Sequence, residues 1–75
     1  MNNTENFDIY KEAFADSLLE FMDEKSIEQF AKMIGIPSRT IRDWLKKTYL
    51  PKSEYLIILA KKFNCSIDYL LGLES

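Results

Sequence analysis

Two short apolar stripes on either side of Gly-Ile-Pro constrain the fold of this 75-residue chain more than any other feature. The residues of the first stripe have the i, i+3, i+4, i+7 spacing of one helix face. They are Ile27, Phe30, Ala31 and Ile34. Gly35 ends that helix, because glycine enters the left-handed conformation without steric cost, and Pro37 suits the start of another. The second stripe consists of Ile41, Trp44 and Leu45. Residues 26–47 are therefore predicted to form two helices joined by a tight turn.

Apolar stripes on both sides of this segment predict three further helices, so that the fold class is all-α. The five predicted helices cover about 7–23, 27–34, 38–47, 54–63 and 67–71. The stripe of helix 1 consists of Tyr10, Phe14, Leu18, Phe21 and Met22. That of helix 4 consists of Leu56, Leu59, Ala60 and Phe63. The spacing of Trp44 with Ile41 predicts that the indole lies in the core, and Cys65 is predicted to be a small buried apolar residue.

Polar residues at the predicted helix starts agree with these boundaries. Serine occupies the expected N-cap positions of helices 2, 4 and 5, at Ser26, Ser53 and Ser66. Gln29 completes the capping-box pattern with Ser26. Thr4 or Asn6 is the cap candidate for helix 1, and residues 1–6 are expected to be frayed.

The composition limits the chemistry available to the chain. It contains one cysteine and no histidine, which removes the commonest general base and the commonest metal ligand. The sequence shows no nucleophile–base pair, no metal-ligand cluster and no phosphate-binding glycine loop. We therefore expect no enzymatic activity, no cofactor, no metal and no small-molecule ligand. No apolar run suits a membrane span or a signal peptide, so residues 1–75 are expected to form a single cytoplasmic domain without membrane association.

The charges are unevenly distributed along the chain. Residues 1–28 carry eight acids and two bases, whereas residues 29–62 carry eight bases and two acids. The net charge of −2 thus conceals a basic central segment, which is typical of a local nucleic-acid surface. The acids of helix 1 form either the solvated back of a core helix or an acidic surface that binds a partner or repels DNA.

Polar side chains stand at the front of helix 3, between its apolar anchors. A helix that is held by one face and offers such groups at its front is the arrangement that enters a DNA major groove. The predicted base contacts are Ser38, Arg39, Thr40 and Asp43. Arg39 is the first choice, because its planar fork can bond guanine O6 and N7 together. Its alternative role is an ion pair with Asp43, four residues later, which would also orient the fork.

Basic residues on and after helix 3 predict contacts with phosphates. The predicted phosphate contacts are Arg42, Lys46, Lys47, Tyr49 and Lys52. Each of the basic side chains could equally be an ordinary solvated charge, and Ser38 and Thr40 could bond phosphate or simply fill the first turn. Tyr49 and Tyr69 could each be a core rim, a phosphate donor or a dimer contact.

Residues 26–71 resemble the Cro/repressor-like (XRE-type) helix-turn-helix family of bacterial and phage regulators. The matching residues are Ser26, Phe30-Ala31, Gly35-Ile36, Ile41, Trp44, Pro51, Leu56, Leu59-Ala60 and the ending Cys65–Gly72. The resemblance implies a five-helix lambda-repressor-like fold, here with an extended acidic helix 1. It also implies that helix 3 is the recognition helix and that the loop 47–52 touches phosphates.

Three positions depart from the family pattern. Ile27 stands where the family often has Gln, Leu45 where it often has Glu, and Lys47 where it often has Gly.

The leading hypothesis is a small transcriptional regulator that binds double-stranded DNA as a homodimer on a two-fold-related operator. The predicted dimer surface consists of helix 5 and nearby loops. The alternative hypothesis is a protein-interaction module that keeps the scaffold with weak or lost DNA binding, which the acidic helix 1 and the missing Gln favour.

Overall fold

Five α-helices and no strand are present in residues 6–74, the part of the chain that the computed structural model describes. The helices are α1 (Asp8–Met22), α2 (Ile27–Ile34), α3 (Ser38–Leu45), α4 (Ser53–Lys62) and α5 (Ile67–Leu71). The predicted all-α class and the predicted number of helices are confirmed. The cap candidate Thr4 lies outside the described residues, and Oδ1 of Asn6 accepts the Asp8 N–H at 3.0 Å.

The local signals around α2 act as predicted. Ser26 Oγ accepts the Gln29 N–H at 3.1 Å, and the Gln29 side chain accepts the Ser26 N–H at 2.9 Å, which completes the capping box. Gly35 ends the helix with a φ of +78°, in the left-handed region. The direction of the chain therefore changes within a few residues, and α3 begins directly after Pro37.

Two predicted helix ends were wrong. α3 ends at Leu45 rather than 47, because Lys47 adopts a left-handed conformation with a φ of +62°. The Lys47 N–H bonds the Trp44 carbonyl at 2.9 Å and the Thr48 N–H bonds the Asp43 carbonyl at 3.2 Å, the hydrogen-bond pattern of a Schellman motif. Ser53 is the first residue of α4 rather than its N-cap, and the cap position, held by Lys52, makes no side-chain bond.

The helices enclose one apolar core centred on Trp44, which is 1% exposed, as predicted. Phe14 and Tyr55 meet the indole edge-on, each with a centroid separation of 5.3 Å. Ile27, at the position where the family often has Gln, is half-buried and packs against this core. The fully buried side chains are Phe14, Leu18, Phe30, Ile36, Ile41, Trp44, Leu59 and Leu70.

α1 lies across the back of this core and packs against α3 and α5. Phe14, Leu18 and Met22 are buried, whereas the acids of the helix are exposed: Asp8, Glu12, Asp16 and Glu20. Cys65 is half-buried rather than buried, and desolvation raises the pKa of its thiol, which disfavours the reactive thiolate. None of the described helices is both long and apolar enough to cross a membrane.

Candidate nucleic-acid interface

α3 is held by one side and exposed on the other. Ile41 and Trp44 are buried at 0% and 1% exposure. With about 100° of rotation per residue, the positions opposite these anchors are Arg39, Arg42, Asp43 and Lys46. Arg39, Arg42 and Lys46 are exposed and Asp43 is half-exposed. The outward face of α3 is therefore accessible to a partner.

The remaining predicted base contacts flank this face. Ser38 and Thr40, in the first turn, are both half-buried. α1 packs against α3, yet Arg39 stays exposed. The front of the helix is thus not covered by the acidic helix, which is the condition that groove entry requires.

Arg39 does not form the ion pair with Asp43 that the i, i+4 spacing offered. Among residues 6–74, the ion pairs within 4.0 Å do not include Arg39. Asp43 is bonded instead to the loop after α3, where the Tyr49 hydroxyl donates to its Oδ2 at 3.0 Å. The orienting role expected of Asp43 towards the Arg39 fork is therefore wrong for this structure.

The bond between Tyr49 and Asp43 follows from the way α3 ends. The left-handed Lys47 turns the chain back, so that the exposed Tyr49 ring reaches the side of the helix. This hydrogen bond, with desolvation and the carboxylate charge as smaller causes, raises the pKa of the Tyr49 hydroxyl. The hydroxyl predicted to bind phosphate is thus already engaged with a carboxylate, and it keeps an accepting lone pair rather than a proton to offer.

Glu28 is a residue of this surface that sequence reasoning missed. Its Oε2 lies 3.2 Å from the Arg42 guanidinium, and the two side chains are 70% and 45% exposed. The pair crosses the turn from the first turn of α2 to α3. The signal that could have found it is an acid on the outward side of α2, opposite a base on the helix that the tight turn makes its neighbour.

The lysines predicted to bind phosphates are all exposed. Lys47 Nζ lies 3.9 Å from Glu12 Oε2 of α1, a long and solvent-exposed pair that contributes little stability. Lys46 and Lys52 form no ion pair with any carboxylate of the described residues. Residues 38–52 carry five basic residues and one acidic residue, so the outward side of α3 and its loop is locally positive.

Comparison with known proteins identifies a matching protein family. The family model HTH_3, described as helix-turn-helix, matches residues 20–70, which include α2 to α4 and most of α5. Neither the curated proteins nor the solved structures gave a match. The matched range includes every predicted contact residue on α3 and in the loop after it.

Proposed function

Because the chain belongs to the helix-turn-helix family, whose members are DNA-binding regulators, we propose that it reads double-stranded DNA in the major groove with α3. Ser38, Arg39, Thr40 and Asp43 contact base edges in this proposal. Arg42, Lys46, Lys47 and Lys52 neutralise phosphates. We propose that Tyr49 acts at the same surface through Asp43, because its hydroxyl proton is donated to that carboxylate.

The observation that carries the proposal is the state of Arg39. Its side chain is exposed at the front of a helix whose other face is anchored by Ile41 and Trp44. It is not held by a carboxylate of residues 6–74. A guanidinium with no ion-pair partner in the folded chain keeps its planar fork available for guanine O6 and N7.

The proposal includes a homodimer, because one recognition helix reads only a few base pairs. α5 and its surroundings expose apolar side chains that a second copy would cover, at Ile67 and Leu73. Leu73 also lines an apolar groove of about 250 Å³, together with Phe7, Tyr10, Leu50 and Leu71. Two copies related by a two-fold axis would read half-sites about one helical turn apart.

Transcriptional regulation is the role that we propose for this binding, in the cytoplasm of a bacterial cell where DNA is accessible. The family consists of DNA-binding regulators rather than enzymes as a rule, and we assign no catalytic activity and no cofactor to the chain.

A titration of labelled duplexes with the chain at two salt concentrations tests the proposal. We expect binding whose affinity falls steeply as salt rises, because each neutralised phosphate releases a counterion. Sedimentation in the presence of the labelled duplex that binds most tightly gives the number of copies of the chain bound per duplex. Absence of binding at low salt, or binding that ignores salt, would contradict the proposal.

The Glu28–Arg42 pair favours a second candidate, a protein-interaction module on the same scaffold. It places an acid within the surface that would meet phosphates, next to one of its cations. This candidate is supported over the first if the chain captures a protein partner and the complex persists after nuclease treatment. The double variant Arg39→Glu, Arg42→Glu should then bind that partner with the same affinity as the wild type.

A further inference from the structure

Asp43 is held at two points by the loop that follows α3. The Tyr49 hydroxyl donates to its side-chain Oδ2 at 3.0 Å, and its backbone carbonyl accepts the Thr48 N–H at 3.2 Å. We propose that Tyr49 positions the Asp43 carboxylate to accept a hydrogen bond from a cytosine N4 amino group, so that this pair selects cytosine within the half-site. The inference rests on the proposed function and names part of the sequence that α3 reads.

The preference for cytosine follows from the chemistry of a carboxylate, which only accepts hydrogen bonds. In the major groove guanine presents two acceptors and thymine presents an acceptor and a methyl group, so neither can donate to Asp43. Adenine offers the N6 donor with the N7 acceptor beside it, and N7 repels the second carboxylate oxygen. Cytosine offers N4 without a neighbouring acceptor on the same base, which makes it the partner of choice.

Tyr49 matters because it fixes the carboxylate before DNA arrives. Its hydroxyl binds Oδ2, while Oδ1 accepts no hydrogen bond from any group of residues 6–74. Asp43 is half-buried and Tyr49 is 44% exposed, so the bonded pair lies at the surface. A side chain that is already ordered loses less conformational entropy on binding, which increases the affinity. This gain in affinity applies only to a base whose amino group donates to the ordered oxygen.

The position of the cytosine is set by the helix. Asp43 follows Arg39 by four residues, which corresponds to a rise of about 6 Å along α3. Successive base pairs are about 3.4 Å apart. The cytosine read by Asp43 should therefore lie no more than about two base pairs from the guanine proposed for Arg39.

The experiment begins with selection of bound sequences from a random duplex pool by the wild-type chain. Dissociation constants are then measured for duplexes that differ only at the proposed cytosine position. We expect Asp43→Asn to move the preference towards adenine, because an amide pairs with adenine N6 and N7. Tyr49→Phe should lower the cytosine preference about three- to tenfold, the usual effect of one hydrogen bond, with the salt dependence unchanged.

Tyr69→Phe is the matched control, because it removes an equivalent hydroxyl that donates to the Glu20 carboxylate at 2.8 Å, between α5 and α1. It should leave the base preference unchanged. If Tyr49 is merely structural, Tyr49→Phe will weaken binding to all four duplexes alike, and the inference is overturned. It is also overturned if wild-type chain binds DNA in a salt-dependent way without preferring cytosine. A wild-type chain that binds no duplex at low salt, or whose binding does not depend on salt, overturns the proposed function as well.

Discussion

The carboxylate of Glu28 lies 3.2 Å from the Arg42 guanidinium, so an acid from α2 forms an ion pair with a cation on the outward side of α3. The turn around Gly35 brings the two helices side by side, and neither residue is buried. One amino group of the Arg42 guanidinium is engaged by Glu28, and the Glu28 carboxylate itself repels the phosphate backbone. The surface that carries the basic residues is thus partly neutralised by the fold itself.

Glu28→Gln should therefore strengthen DNA binding. The change frees Arg42 from an exposed pair worth up to about 1 kcal/mol, so we expect up to about a fivefold gain in affinity. The slope of log affinity against log salt should stay about the same, because Arg42 is a proposed phosphate contact in both chains. Titration of one duplex over a range of salt concentrations measures both quantities.

Glu24→Gln serves as the control for Glu28→Gln, because Glu24 is an exposed acid that forms no ion pair with any cation of the described residues. It removes the same charge from the same end of α2. If both variants bind with the same gain, the effect comes from net charge alone and the Glu28–Arg42 pair has no special role.

Arg39→Lys should separate base reading from electrostatic attraction. Lysine keeps the charge but lacks the planar fork that bonds guanine O6 and N7 together. We expect a loss of about 1–3 kcal/mol of discrimination at one base pair, with little change in affinity for unrelated DNA. Arg42→Lys is the comparison, since a proposed phosphate contact should not alter base preference. Equal discrimination in the wild type and Arg39→Lys would remove Arg39 from the base contacts.

The helices were predictable because their signals are local, whereas the bonds at the interface were not. The Ser26–Gln29 box and Gly35 fix the ends of α2 within a few residues of sequence. In contrast, lysine is not a residue type that indicates a left-handed conformation, so the end of α3 before Lys47 was missed although the family often has Gly at this position. Long polar side chains have several partners within reach, and the choice depends on how helices and loops meet in space.

The contacts of Asp43 illustrate this limit. The i, i+4 rule offered Arg39 as its partner, and the structure shows Tyr49 instead, because the Schellman motif at Lys47 returns the loop to the helix. The exposed positions of Arg39, Arg42 and Lys46 follow from the periodicity of α3, while the contacts of these side chains with DNA stay predictions.

Stability should fall at alkaline pH through the two bonded tyrosines. Hydrogen bonds to Asp43 and Glu20 are the largest causes that raise the pKa of Tyr49 and of Tyr69 in the folded chain. A raised pKa means that the stabilisation is complete below the unfolded value of about 10 and is lost as pH rises through the folded value. Thermal melting from about pH 8 to about pH 11 should therefore show a smaller decline for the double variant Tyr49→Phe, Tyr69→Phe. Parallel curves for the variant and the wild type would show that these bonds do not contribute.

Lys47→Gly should make the chain more stable and its DNA binding weaker. Lys47 has a φ of +62°, where a residue with a Cβ is strained by about 1–2 kcal/mol, while glycine loses about 0.5–1 kcal/mol more backbone entropy on folding. We expect a net gain of about 0.5–1 kcal/mol in the free energy of unfolding, since the exposed pair with Glu12 contributes little.

Lys46→Gly is the control, because it removes the same charge from a residue with a φ of −80°. This variant should be less stable than the wild type. Chemical denaturation separates the two variants, and salt titration should show that both lose about one phosphate contact. Equal unfolding free energies for the two would mean that the left-handed turn stores no strain.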